Sequence, residues 1–365
     1  MKKLCLAAFI AVAMPLTAQA QDTEATGAFI TDYAAKNNFN GSVLIERNGK
    51  TIYTKSFGQA DFAFAIPNTP DTKYRIASIT KLFTSTLIMQ LVEQKRLELD
   101  KTVRTYLPDY TGPAADKVTL RQLLNHTAGI TNFDTVKSAE DAIKNGLPQY
   151  QHPYTSRQLM DKFASGPLVS EPGKKWDYDN GDYVILGQII EREYGQPFEQ
   201  VLKARILAPL GMTQSGIAHQ ADIIPKLAPT YFYRDDLKRL ANDFPVYPEN
   251  WYAAGAMYST LGDLKLFSDA LFAGRLVSNA SLDEMFTPGL EDYGYGLWSY
   301  DTKINGAEYK VVKRPGRIMG AQTELYHFFD PDVTIILLSN TGTTDLDEFV
   351  AQIGKQVVGG NADKP

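Results

Sequence analysis

The sequence predicts an α+β fold in which one antiparallel sheet, built from both ends of the chain, encloses an all-helical insertion. Three observations carry this expectation: strand-like runs around an Asn-Gly turn near residue 48, a block of helical periodicity over about 78–250, and an alternating meander over about 290–345. Strands at both ends with helices between them bury their apolar faces by pairing with one another and taking the helices as covering layers.

Taken in order, Lys2 and Lys3 precede an apolar run from Leu4 to Leu16, and Ala18-Gln19-Ala20 offers a small-x-small cleavage site. Residues 1–20 are therefore expected to be a signal peptide cut after Ala20, which makes the mature protein periplasmic or secreted. No later segment reaches the roughly 20 uninterrupted apolar residues that a bilayer span requires, so no stable membrane span is expected. The lone cysteine, Cys5, falls inside this leader, and neither a disulfide nor a thiol nucleophile is expected in the mature chain. The remainder, 21–365, reads as one catalytic domain, and its 44% hydrophobic composition suffices for a large core.

Helical spacing is expected over Thr26–Asn37, followed by strands Gly41–Glu46 and Thr51–Phe57 joined through Asn48-Gly49, a hairpin turn pair. Ser78–Lys95 is apolar on nearly every face, the pattern of a central buried helix. Further helices are expected at Thr119–Asn125, Thr155–Ala164, Gly181–Tyr194, Phe198–Leu207 and Leu261–Leu271. Strands are then expected at Gly294–Tyr300, Tyr309–Arg314, Thr323–Phe329 and Val333–Ser339, with a closing helix at Asp347–Val358. The stretches Asp134–Tyr154 and Ala218–Asn250 carry no readable pattern.

Charge narrows the function. Without Lys2 and Lys3, the 37 basic residues become 35 against 42 acidic ones, a net of −7 with no basic cluster. A nucleic-acid partner would need a positive stripe to neutralise phosphates, so that class is set aside. His126, His152, His219 and His327 are scattered without a His-x-x-x-His pair, so neither a metal nor another cofactor is expected. The expected partner is a small-molecule or peptide substrate.

Candidate chemistry begins at Ser78-Ile79-Thr80-Lys81, the only Ser-x-x-Lys in the chain. Residues three apart on a helix share a face, so the hydroxyl and the amine can meet. The helix N-terminus beside Ser78 favours negative charge developing on an attacked carbonyl. A capping serine followed by a surface lysine fits the same four residues, although a lysine in so apolar a helix would be costly if unused. The second element is Tyr178-Asp179-Asn180, in a polar loop before a helix. A phenol is a poor base at neutral pH, but a cation about 4 Å away at an effective dielectric of about 20 is worth roughly 4 kcal/mol, close to three pKa units. Lys81 supplies such a cation, and Asn180 can orient both Lys81 and a substrate amide. Taken alone, the pair also fits a turn asparagine beside a packing tyrosine.

Together these motifs resemble the β-lactamase-related serine hydrolases, the group that holds class C β-lactamases, penicillin-binding DD-peptidases and related esterases. The resemblance runs from Gly41 to about Gly354 and includes Tyr74-Arg75-Ile76-Ala77-Ser78-Ile79-Thr80-Lys81, Leu123-Leu124-Asn125-His126-Thr127-Ala128-Gly129-Ile130, Pro209-Leu210-Gly211-Met212 and Ala254-Gly255-Ala256-Met257-Tyr258-Ser259-Thr260. It implies a β-lactamase/transpeptidase-like fold and an acyl-enzyme on Ser78, with Lys81 and Tyr178 managing the proton and Asn180 assisting. It also implies an oxyanion hole from the backbone N–H groups of Ser78 and Arg317. Where the family carries Lys-Thr-Gly or His-x-Gly, this chain has Arg314-Pro315-Gly316, with Gly320 at the expected distance.

Arg314 keeps a cation that can depress neighbouring pKa values and attract a carboxylate, but it cannot relay a proton. Pro315 removes a hydroxyl that would hold substrate, and Gly316 still permits close approach of a substrate backbone. Tyr252 and Trp298 are expected to wall the cleft, while His126 is expected to be a buried structural residue. The substrates expected are a D-amino-acid peptide or an ester first, and a β-lactam second. A catalytically silent module that binds cell-wall peptide or a protein partner is the rival reading; the altered third motif motivates it, and the intact Ser78, Lys81, Tyr178 and Asn180 set opposes it.

Overall fold

The computed structural model describes residues 16–136 and 138–359; the predicted leader up to residue 15, Cys5 included, lies outside the described residues. The chain opens with α1 (Leu16–Lys36), which begins earlier than the periodicity at residue 26 predicts. Two strands follow, β1 (Gly41–Arg47) and β2 (Lys50–Phe57), turning through Asn48 and Gly49 at φ of 49° and 73°. The buried helix α2 (Thr80–Glu93) and the helix α3 (Asn180–Tyr194) form the centre of the helical region, and α4 (Leu261–Phe272) leads back to the sheet. The meander is β3 (Trp298–Ile304), β4 (Ala307–Ile318), β5 (Ala321–Phe328) and β6 (Val333–Ser339), closed by α5 (Leu346–Gly359).

All six strands form one antiparallel sheet in the order β3-β4-β5-β6-β1-β2, so β1 from the N-terminal part pairs with β6, Gly41 opposite Ser339 and Arg47 opposite Val333. Both faces are covered. On one, α1 and α5 bury Ile30, Phe39, Phe349 and Ile353 against Val43, Ile335 and Leu337, and the Tyr33 ring stacks on Phe349 at 4.3 Å. On the other, α2 and α4 meet through Phe83 and Phe267, stacked at 3.7 Å. The α2 helix is buried almost all round, as its composition predicts.

Two differences from the sequence reading bear on the site. The third-motif strand runs to Ile318 rather than stopping at Arg314, while its neighbour β3 starts at Trp298 rather than Gly294. Gly296, at φ of 82°, keeps the preceding segment out of the ladder. Because the last β3 pair is Trp298 opposite Lys313, residues 314–318 of β4 pair only with β5, and Pro315 costs no bond to β3. The two unreadable stretches also contain regular elements: one holds a helix at Ala139–Asn145, and the other a hairpin, Tyr231–Arg234 with Arg239–Asn242. Gly320 brings that hairpin in, since a β-carbon there would lie 2.1 Å from the Tyr231 carbonyl oxygen.

Phe83→Ala removes a fully buried ring at the junction of α2 and α4. It is expected to cost about 3–5 kcal/mol of unfolding free energy. A urea midpoint unchanged from wild type would contradict this account of the core.

Candidate active site

Ser78 lies in a single 3-10 turn, Ala77–Ile79, immediately before α2. Ala77 takes φ of +48°, a left-handed conformation that costs a residue with a β-carbon on the order of 1–3 kcal/mol and persists only when its surroundings fix it. Three bonds do so: Thr80 Oγ1 donates to the Ala77 carbonyl at 2.7 Å, Ile76 N donates to Met257 O at 2.9 Å, and Thr323 Oγ1 donates to the Ile76 carbonyl at 3.0 Å. The turn presents a half-buried hydroxyl at the head of a helix, where main-chain N–H groups lack intrahelical acceptors.

The predicted quartet converges on that hydroxyl. Tyr178 OH donates to Ser78 Oγ at 2.7 Å, and Lys81 Nζ donates to it at 3.3 Å. Lys81 Nζ also donates to Asn180 Oδ1 at 2.7 Å and to the Ala254 carbonyl at 3.0 Å. Its three donors therefore meet three acceptors, two on fixed protein groups and the third on the nucleophile. The Ala254 carbonyl gives the Ala254–Thr260 phrase a part in the site that the sequence reading did not assign. Asn180 Nδ2 donates to Asp134 Oδ2 at 2.6 Å, and Asn132 Nδ2 donates to the Tyr178 carbonyl at 2.6 Å, so one loop holds both ends of the Tyr-x-Asn motif.

Arg314 requires a correction. It is 1% exposed, and its guanidinium points beneath the site rather than into the cleft. Nη2 donates to Tyr178 OH at 2.7 Å, Nη1 to Tyr293 OH at 2.8 Å, and Nε to the Ser78 carbonyl at 2.7 Å. It is thus a buried partner of the phenol and the nucleophile turn, not a group that receives a substrate carboxylate. The even positions of β4 face α2, and Gly316 lets the strand lie against the turn; a β-carbon there would stand 2.3 Å from the Ile76 carbonyl oxygen and from Thr323 Oγ1. The Arg317 side chain is committed to Glu324 at 2.9 Å and Asp347 at 3.4 Å.

Two buried cations beside one phenol set the proton chemistry. Burial lowers the Lys81 amine to about 8, and the Arg314 charge pushes in the same direction. Burial by itself would raise the Tyr178 phenol, but the charges of Arg314 and Lys81 outweigh it and bring the group down to about 8. The phenol and the amine thus exchange a proton at little cost, which equips them to take the hydroxyl proton from Ser78 and return it to a leaving group.

Tyr252 is also corrected. It is buried, its ring 5.4 Å from Phe198 and its hydroxyl accepting from Gln188 Nε2 at 3.4 Å. The preceding 3-10 turn, Pro248–Trp251, faces Trp251 to the cleft instead, where it stacks on Tyr150 at 3.8 Å. A groove of about 580 Å³ lined by Asp134, Asn180, Phe232, Phe244, Trp251 and Ile318 adjoins the quartet through Asn180. Trp298 lines a second groove, of about 510 Å³, with Pro315 and Lys313. His126 is buried as expected, with Nδ1 3.0 Å from Asp182 Oδ2, and burial holds its pKa well below the usual range. Asp134 and Tyr293 escape a sequence reading because no motif marks either, and their partners are far away in the chain. Among the described residues, no group of His, Cys, Asp and Glu is placed to hold a metal ion.

The activity of this arrangement is expected to rise with pH through about 8, as one proton leaves the Lys81 and Tyr178 pair. Arg314→Met removes a cation that favours deprotonation of both groups, so the ascending limb of kcat/KM on a nitrophenyl ester should move to higher pH. Arg314→Lys, which keeps the charge, should leave it nearer to wild type. A limb that stays put or moves down in Arg314→Met contradicts the electrostatic assignment.

The sequence matches the family model described as Beta-lactamase over residues 28–357. The Bacillus subtilis (strain 168) protein PbpX is 32% identical over 74% of the chain, which spans 64% of that protein's own length. Teichoic acid D-alanine hydrolase of Staphylococcus aureus is 28% identical over 78% of this chain and 68% of its own. Among solved structures, D-amino acid amidase from Ochrobactrum anthropi SV3 superposes with a TM-score of 0.77 at 25% identity, covering 92% of this chain and 98% of that one.

Proposed function

The chain belongs to the beta-lactamase family, and from that premise we propose that it is an exported serine hydrolase that cleaves an ester or amide through an acyl-enzyme on Ser78. One observation carries the proposal: the Ser78 hydroxyl lies 2.7 Å from the Tyr178 phenol and 3.3 Å from the Lys81 amine, whose partner Asn180 lines an open groove.

In this reading, the Tyr178 and Lys81 pair takes the hydroxyl proton as Ser78 Oγ bonds to the substrate carbonyl carbon. The tetrahedral oxyanion is met by the main-chain N–H groups of Ser78 and Arg317. Its collapse breaks the bond to the leaving atom, which receives the proton from the Tyr178 side. Water then repeats the sequence on the acyl-enzyme and restores Ser78. Similarity to a teichoic acid D-alanine hydrolase and a D-amino acid amidase supports D-aminoacyl esters and amides as the first substrates to test, ahead of D-amino-acid peptides and β-lactams.

Intact-mass spectrometry after exposure to a fluorophosphonate should show one covalent adduct on wild type and none on Ser78→Ala. Tyr178→Phe is expected to lower kcat/KM on a nitrophenyl ester by about 10²–10⁴. Absence of an adduct on folded wild type would falsify the nucleophile assignment. Export is tested separately: N-terminal sequencing of periplasmic or secreted material should begin at Gln21, and a cytoplasmic protein retaining residues 1–20 would overturn it.

A further inference from the structure

A carbonyl attacked by Ser78 must expel its leaving atom beside the group that protonates it, which on this reading is the Tyr178 phenol. Tyr178 packs against Trp176 and Tyr293 at 6.4 Å, and Trp298 crosses Tyr293 at 4.7 Å. The leaving group therefore exits toward the second groove, lined by Asp292, Trp298, Tyr300, Lys313, Pro315 and Asp347.

The cation that lines that exit is already paired. Arg314, which donates to the phenol at 2.7 Å, is 1% exposed and spends all three of its nitrogens on Tyr178, Tyr293 and Ser78. Lys313 is ion-paired with Asp347, and Arg317, outside the lining, is divided between Asp347 at 3.4 Å and the buried Glu324 at 2.9 Å. Asp292 adds a second carboxylate to the lining, so the groove carries one positive side chain and two negative ones. Pro315 offers neither a hydroxyl nor an N–H. A substrate carboxylate placed there would lose its water without gaining a cation and would face like charge. On the acyl side the groove is walled by Phe232, Phe244, Trp251, Ile318 and Met319, surfaces that take an apolar side chain.

We propose that this protein acts on esters and amides whose acyl part carries an apolar side chain and whose leaving group carries no carboxylate, because Arg314 is withdrawn beneath the site and the leaving-group exit is acidic. The proposal rests on the serine-hydrolase reading. It removes peptides ending in a free carboxylate and β-lactams bearing one from the preferred substrates, and it favours neutral or amine-bearing leaving groups.

The test is a matched pair on wild-type enzyme: the phenyl ester of phenylacetylglycine and its analogue with a carboxylate at the meta position of the leaving phenol. The expected kcat/KM favours the neutral ester at least tenfold. In Asp347→Asn, which releases Lys313 and frees Arg317 from one of its two carboxylates, and in Asp292→Asn, which removes a negative charge, the ratio is expected to fall by twofold or more. If both esters turn over in a Ser78-dependent way with equal rates, or the carboxylated one is faster, the specificity proposal is overturned and the hydrolase reading stands. If neither ester turns over nor acylates Ser78, the hydrolase reading falls and this proposal falls with it.

Discussion

Two cations are buried around one phenol, and the site depends on how that is tolerated. Lys81 and Arg314 are both shut away from water, within 4.7 and 5.5 Å of the Tyr178 ring centre. Like charges so placed are costly unless each finds hydrogen-bond acceptors and one neighbour can become an anion. Asn180, the Ala254 carbonyl, the Ser78 carbonyl and Tyr293 supply the acceptors. Tyr178 supplies the anion on demand. The electrostatic tension that makes the arrangement expensive is therefore what turns an ordinary phenol into a base near neutral pH.

The fold exists around that tension in a definite way. The strained turn at Ala77 is held from three directions: by α2 through Thr80, by the 257–259 strand through Met257, and by β5 through Thr323. The β4 edge lies against it because β3 begins only at Trp298, opposite Lys313, and because Gly316 has no side chain to keep them apart. A hydroxyl on so constrained a turn cannot relax away from its partners, and preorganisation of this kind is what acyl transfer requires.

Much of this was legible in residue order. The Asn-Gly hairpin at 48–49, the all-round apolar α2 and the capped helices were read correctly because each rests on local spacing or on a short motif, and the candidate set Ser78, Lys81, Tyr178 and Asn180 comes into hydrogen-bond contact. The strand at 294–300 was set too early because an alternating pattern does not reveal Gly296 turning the chain. The hairpin at 231–242 was missed because its register depends on Gly320 and Asn340, about a hundred residues away. Tyr252 was misplaced because a single 3-10 turn decides whether residue 251 or residue 252 faces the cleft.

The sequence by itself determined that a hydroxyl and an amine would share one helical face, since three residues on a helix bring side chains together whatever surrounds them. Only the tertiary structure decided what Arg314 does. Its direction follows from the alternation of β4, the register of that strand on β5, and the docking of both against the Ala77 turn, the last a contact between segments more than two hundred residues apart. A cation that reads in one dimension as a substrate anchor becomes, in three, the buried support of the base, because burial and pairing are properties of neighbours that the residue's own stretch of chain does not contain.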